Sequence, residues 1–223
     1  MSRPRLLVVP GLGLGARSWA PTTQLLDADS DVLSLPGYGV RGRSHEPLSP
    51  DALARSAVES LPRGAPLVLA GHSASCQVVA HVAAEAGDRV AGLVLVGPTT
   101  DPAARTWSAL VRRWLRTARR EDPRQVPGLV RQYARTGPAT MARAMDAARR
   151  DRLEQTLDRI SCPALVIRGR HDAICDESWA RTVTDMAPTG SRAVTLPAGA
   201  HMVPSTHGPL VAAEIATFLS ELR

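Results

Sequence analysis

Lysine is absent: all 27 basic residues of this 223-residue chain are arginine. We read that uniformity as the mark of a GC-rich genome rather than a chemical demand. Its direct consequence is to exclude a P-loop, whose grip on phosphate needs a lysine. Phe and Tyr are nearly missing, with one Phe and two Tyr, so the core must be built mainly from Leu, Val and Ala. Cysteine is sparse and odd in number. Cys76, Cys162 and Cys175 show no metal-ligand spacing, which points to free thiols in a reducing cytoplasm. No apolar run approaches the roughly 18 residues a membrane helix needs. The run Leu6–Pro10 is too short for a signal-peptide core and leads into glycines, so it is expected to form a first strand. Repeats and low-complexity tracts are also lacking.

What is present suffices for one globular domain, with 44% hydrophobic residues. The charge is unevenly placed. Between Pro102 and Asp158 there are 13 Arg against 6 acidic residues, whereas the remainder is close to neutral at −1. Short β-branched and leucine-rich runs alternate with Ala-rich amphipathic stretches, as βαβ units around a parallel sheet do. Nearly continuous apolar runs mark buried parallel strands at Leu6–Val9, Val32–Leu35, Leu67–Ala70, Leu93–Val96 and Ala164–Ile167. A shorter run at Ala193–Leu196 reads as a strand near an edge. Helices are expected over Ser18–Leu26, Pro50–Ser60, Ala74–Ala86, Glu177–Met186 and Pro209–Leu222, with Ser49 capping the second and Pro50 in its first turn. The stretch 102–158 has no strand-like run and predicts two to four helices inserted between consecutive strands, above the carboxyl ends where open α/β sheets bind ligands.

Four motifs carry chemistry. Gly71-His72-Ser73-Ala74-Ser75 follows a strand and opens a helix, so the Ser73 hydroxyl would be held exposed at a crowded turn beside a helix N-terminus. Arg168-Gly169-Arg170-His171-Asp172 sets an Asp just beyond a later strand, and Gly199-Ala200-His201 sets a His beyond the last one. A serine needs a base for its proton and an acid to hold that base. Asp176 and His207 are the nearest alternatives for those two roles. Pro10-Gly11-Leu12-Gly13 follows the first strand. Its spacing with Gly15 is not the dinucleotide fingerprint.

These residues, together with Leu35-Pro36-Gly37-Tyr38-Gly39, resemble the α/β-hydrolase superfamily from Leu6 to Leu222. Ser75 stands where the nucleophile elbow usually ends in Gly, Pro10 where many relatives carry His, and Ser34 where they often have Asp. The resemblance implies an α/β fold with a mostly parallel sheet of about six strands and helices on both faces. Residues 1–101 and 159–223 would form the core and 102–158 a helical lid insertion. It further implies a Ser73–His201–Asp172 triad, with the backbone amides of Leu12 and Ala74 holding the substrate oxyanion. Tyr38 or Ser44 could touch substrate, although that loop reads first as scaffold. His45, His72 and His81 are expected to be locally hydrogen-bonded or exposed.

The expected function is a cofactor-independent, metal-free serine hydrolase that cleaves an ester or thioester of a small-molecule acyl substrate. A carbon–carbon bond hydrolase, a lyase or cyclase, and a non-catalytic binder on the same scaffold stay open. A haloalkane dehalogenase is disfavoured, since it needs a carboxylate where Ser73 stands. Trp107 and Trp114, seven residues apart on one helix face, are expected to pin the insertion to the body, with pocket lining as the alternative. Arg112, Arg113, Arg116, Arg119 and Arg120 read as a solvated face, or else as an attractor for an acidic substrate or carrier protein. No aromatic-plus-basic module suggests nucleic acid.

Overall fold

The computed structural model describes residues 4–222, so Met1–Arg3 and Arg223 of the expected core lie outside the described residues. Six strands form one parallel sheet: β1 (Arg5–Val9), β2 (Ser30–Val32), β3 (Leu67–His72), β4 (Val90–Val96), β5 (Ala164–Gly169) and β6 (Arg192–Leu196). Their order across the sheet is β2-β1-β3-β4-β5-β6, every neighbouring pair parallel. The eight helices used below are α1 (Pro50–Glu59), α2 (Ser75–Ala86), α3 (Trp107–Ala118), α4 (Val126–Thr136), α5 (Pro138–Ala148), α6 (Leu153–Leu157), α7 (Glu177–Met186) and α8 (Gly208–Glu221).

Successive strand residues point to opposite faces, and both faces are apolar. Leu7, Leu69, Leu93, Leu95 and Val166 feed a core shared with α1, α2, α6 and α7. Leu6, Val68, Val94, Leu165 and Ile167 feed a second core closed by Trp19 and α8. Double burial is why the central strands read as unbroken apolar runs. The edge strand β6 alternates in burial instead, in line with its shorter run.

Two expectations shift. The second strand is Ser30–Val32 rather than Val32–Leu35; its last ladder bond is Leu33 N–H to Val8 O at 2.9 Å. Beyond it Pro36 lacks an amide donor, and Leu35–Pro36 pairs locally with Tyr38–Val40 instead of joining the six-stranded sheet. The expected helix at Ser18–Leu26 is two single turns, Ala16–Ser18 and Ala20–Thr23. Pro21 limits the second to starting there, and the Thr22 hydroxyl bonds to Pro204 O at 2.8 Å rather than leaving the chain free to continue. Ser49 does sit at the start of α1 with Pro50 in the first turn, but its hydroxyl caps no backbone amide.

Helices α3 to α6 are inserted between β4 and β5. The chain order reverses between β1 and β3, the switch point at which open α/β sheets place ligands. Among the described residues no helix is long and apolar enough to cross a membrane.

Candidate active site

Ser73 leaves β3 with φ of +60°, the one positive φ outside glycine among the described residues. A side chain there is strained, and the surroundings enforce it. Ser73 N–H bonds to Val96 O at the end of β4, 2.8 Å away. Gly71 is obligatory, because a Cβ would stand 2.8 Å from the backbone of Cys76. Ser75 fits the turn and adds a tie that glycine lacks: its fully buried hydroxyl lies 2.9 Å from both Val9 O and His72 O and accepts the His72 amide at 2.8 Å. The elbow is thereby fastened to β1 and β4 on either side.

Asp172 and His201 meet beside it. Asp172 Oδ2 accepts from His201 Nδ1 at 2.8 Å. The other oxygen accepts the amides of Ile174 and Cys175 at 2.8 and 3.0 Å. Buried Arg168 braces this acid loop by donating to Asp172 O and Cys175 O. Gly97 makes room for the pair, since a Cβ there would come within 3.0 Å of the His201 ring and 3.1 Å of Asp172 Oδ2. Burial alone would lower the His201 pKa. The Asp172 charge, its hydrogen bond and the Glu121 charge outweigh that, and the net shift is upward.

The His201 backbone is clamped at both ends. Its amide and that of Met202 donate to Glu121 Oε1 at 2.7 and 2.9 Å. Its carbonyl lies 2.9 Å from His72 Nε2, which must carry the ring proton because a carbonyl only accepts. Burial, then the His201 charge, depress the His72 pKa to about 3, so this imidazole stays neutral.

The residues inferred from sequence therefore converge. Ser73, His201 and Leu12 line one cavity of about 560 Å³, whose walls are mainly apolar and include Leu14, Leu129, Tyr133, Met141 and Met145. Ser73 Oγ has no hydrogen-bond partner among the described residues. Gly13 N–H bonds to Gly37 O and Leu14 N–H to Gly11 O, but the Leu12 and Ala74 amides are uncommitted among the described residues.

Other candidates have structural employment. Asp176 caps α7, accepting Trp179 N–H at 2.9 Å. His207 Nδ1 sits 2.9 Å from the Thr206 hydroxyl. Tyr38 is fully buried in the core and Ser44 is exposed away from the cavity. His45 is exposed, whereas His81 has the acid partner the sequence did not suggest, Asp151 at 2.8 Å. Among the described residues no group of three His, Cys, Asp or Glu could hold a metal ion. Burial pushes the Cys76 and Cys175 thiols well up and Cys162 to about 11, leaving no thiolate nucleophile near neutral pH.

The inserted helix α3 differs from expectation at two points. Trp107 and Trp114 do share a face, but they line the cavity and stay 47% and 55% exposed rather than being packed into the body. Arg113 is not part of a solvated face: it pairs with Asp101 at 2.5 Å and Asp176 at 3.3 Å and donates to Ile174 O. The pinning is polar. Arg113, the Thr117 hydroxyl accepting Ala173 N–H at 3.0 Å, and Glu121 follow at four-residue intervals and grip the acid and histidine loops. Sequence inspection missed these ties because the backbone groups they hold on the acid and histidine loops lie 56 to 81 positions away.

Solved structures share this architecture. A hydrolase from Pseudomonas aeruginosa superposes with a TM-score of 0.74 at 24% identity, covering 97% of this chain and 90% of that one. An enol-lactonase from Burkholderia xenovorans gives 0.75 at 21%, covering 99% and 92%. MenH from S. aureus gives 0.79 at 18%, covering 100% and 95%. At these identities the likeness is one of fold. No curated protein matches the chain by sequence. The pattern of the alpha/beta hydrolase family matches residues 6–214, nearly the whole chain. This protein belongs to the alpha/beta hydrolase family.

Proposed function

We propose that the chain is a serine hydrolase that needs no cofactor and cleaves esters or thioesters of apolar acyl groups, with Ser73 as nucleophile, His201 as base and Asp172 as its orienting acid. The observation that carries this reading is the 2.8 Å bond between Asp172 and His201 in the wall of the cavity that Ser73 faces. Asp172 fixes the imidazole with its proton on Nδ1, leaving Nε2 free to take the Ser73 proton as Oγ attacks the acyl carbon. The uncommitted amides of Leu12 and Ala74 stabilise the resulting oxyanion. Collapse expels the alcohol or thiol, which takes the proton back from His201. Water, deprotonated by the same base, then releases the acid and restores Ser73.

The apolar lining sets the substrate class, because each buried methylene contributes about 0.8 kcal/mol. Residues 102–158 act as a lid, with α3 and α4 supplying the outer wall of the cavity. A fluorophosphonate probe tests the reading directly. It should label Ser73 in the wild type and fail to label His201→Ala. An unlabelled wild type, folded and intact, would overturn it.

A further inference from the structure

Among the described residues, six of the eight exposed large apolar side chains lie on two helices: Trp107, Val111, Trp114 and Leu115 on α3, and Val126 and Val130 on α4. Each is between 47% and 61% exposed, a concentration that marks an interaction surface rather than ordinary scatter. The cavity explains part of it, since Trp107, Val111, Trp114 and Val126 form its rim. Leu115 and Val130 do not, so the apolar strip continues outward past the mouth.

At about 100° per residue, both helices repeat one order around their circumference. On α3, Leu110 and Trp114 face the cavity, Val111 and Leu115 come next, and Arg112, Arg116 and the C-cap residue Arg119 lie beyond. On α4, Leu129 and Tyr133 face it, Val130 comes next, and Arg131 and Arg135 lie beyond. These five arginines are exposed and have no side-chain partner among the described residues. Neighbouring Arg105, Arg113 and Arg149 are all engaged in ion pairs.

A dissolved substrate would cover the rim but not cationic rows on two separate helices. A bilayer carrying anionic headgroups meets all three zones together: the apolar strip enters the lipid boundary while guanidinium groups stay at headgroup level. We propose that the outer face of α3 and α4 docks on an anionic lipid surface with the cavity mouth turned toward the lipid. An acidic protein would match the charge but not the apolar strip that continues the cavity rim. A second copy, pairing through the same face, would set arginine against arginine.

Trp19 and Trp179 are buried at 0% and 3%, so emission from Trp107 and Trp114 reports on this face. The full chain should co-sediment with phosphatidylcholine vesicles containing about 30% phosphatidylglycerol and show a blue shift, but do neither with phosphatidylcholine alone. Arg112→Gln, Arg116→Gln and Arg119→Gln combined should weaken partitioning roughly 100-fold, at about fivefold per arginine, and high salt should weaken it likewise in the unaltered chain. Trp107→Phe with Trp114→Phe should still sediment while losing the blue shift. Ser73→Ala should bind as the wild type does, which separates this proposal from the proposed reaction. No sedimentation with anionic vesicles, equal binding to neutral ones, or unchanged binding by the triple variant in low salt would overturn it. So would the same blue shift with soluble polyglutamate, or a concentration-dependent dimer formed without vesicles.

Discussion

The His201 ring is oriented from three directions: Asp172 holds Nδ1, Glu121 holds the backbone amide, and His72 holds the carbonyl. Only the first of these was legible in the sequence, because chain order and placement after strands point to Asp172. Glu121 is one acid among several in an arginine-rich stretch, and nothing local distinguishes it. Its role makes a prediction with a defined sign. As the proposed base, His201 works only when unprotonated, and its pKa lies above its ordinary value, so kcat/KM should rise with pH through a limb higher than the usual imidazole range of about 6.5. Glu121→Gln keeps an acceptor oxygen but removes a charge that raises this pKa, so the acid limb should move down while the plateau changes by less than roughly threefold. Glu121→Ala also removes the acceptor, and kcat should fall roughly 10- to 100-fold as the loop loses its position. An unmoved limb in the Gln variant would show that Glu121 does not act on the base.

Helix α3 joins the site at the scale of elements. One face carries Arg113 and Thr117 to the Asp172 loop, with Glu121 just past the helix end reaching the His201 loop, while the next face carries Trp107 and Trp114 to the cavity. Thr117→Val keeps the shape but leaves the Ala173 amide without its acceptor, and should cost about 1–3 kcal/mol, read as a lowered Tm. Trp107→Ala or Trp114→Ala should leave turnover of short acyl esters nearly unchanged and raise KM for longer ones roughly tenfold, because only the longer chains reach the rim. Equal KM changes across chain lengths would place the two rings outside the binding path. The existence of helices here was legible from their spacing. Which arginine of the five would turn inward was not, since Arg112 and Arg113 look alike until Asp101 and Asp176 are brought together by the fold.

At the scale of the whole molecule, the sheet was legible because both of its faces are buried, which writes each central strand as an apolar run. The boundaries that moved, at β2 and in the turns around Trp19, belong to segments only partly buried, where proline and threonine outweigh hydrophobic pattern. The order β2-β1-β3 places the Leu12 loop and the Ser73 elbow side by side at the switch point, and the ties from Arg113, Thr117 and Glu121 hold the Asp172 and His201 loops, so that Leu12, Ser73 and His201 line one cavity. That convergence is the central claim, and hydrolysis of p-nitrophenyl esters by the wild type, Ser73→Ala and His201→Ala tests it most directly. The account predicts turnover by the wild type and a loss of roughly 10⁴-fold or more in each variant, with unchanged circular dichroism. A folded Ser73→Ala variant that retains wild-type activity would contradict it.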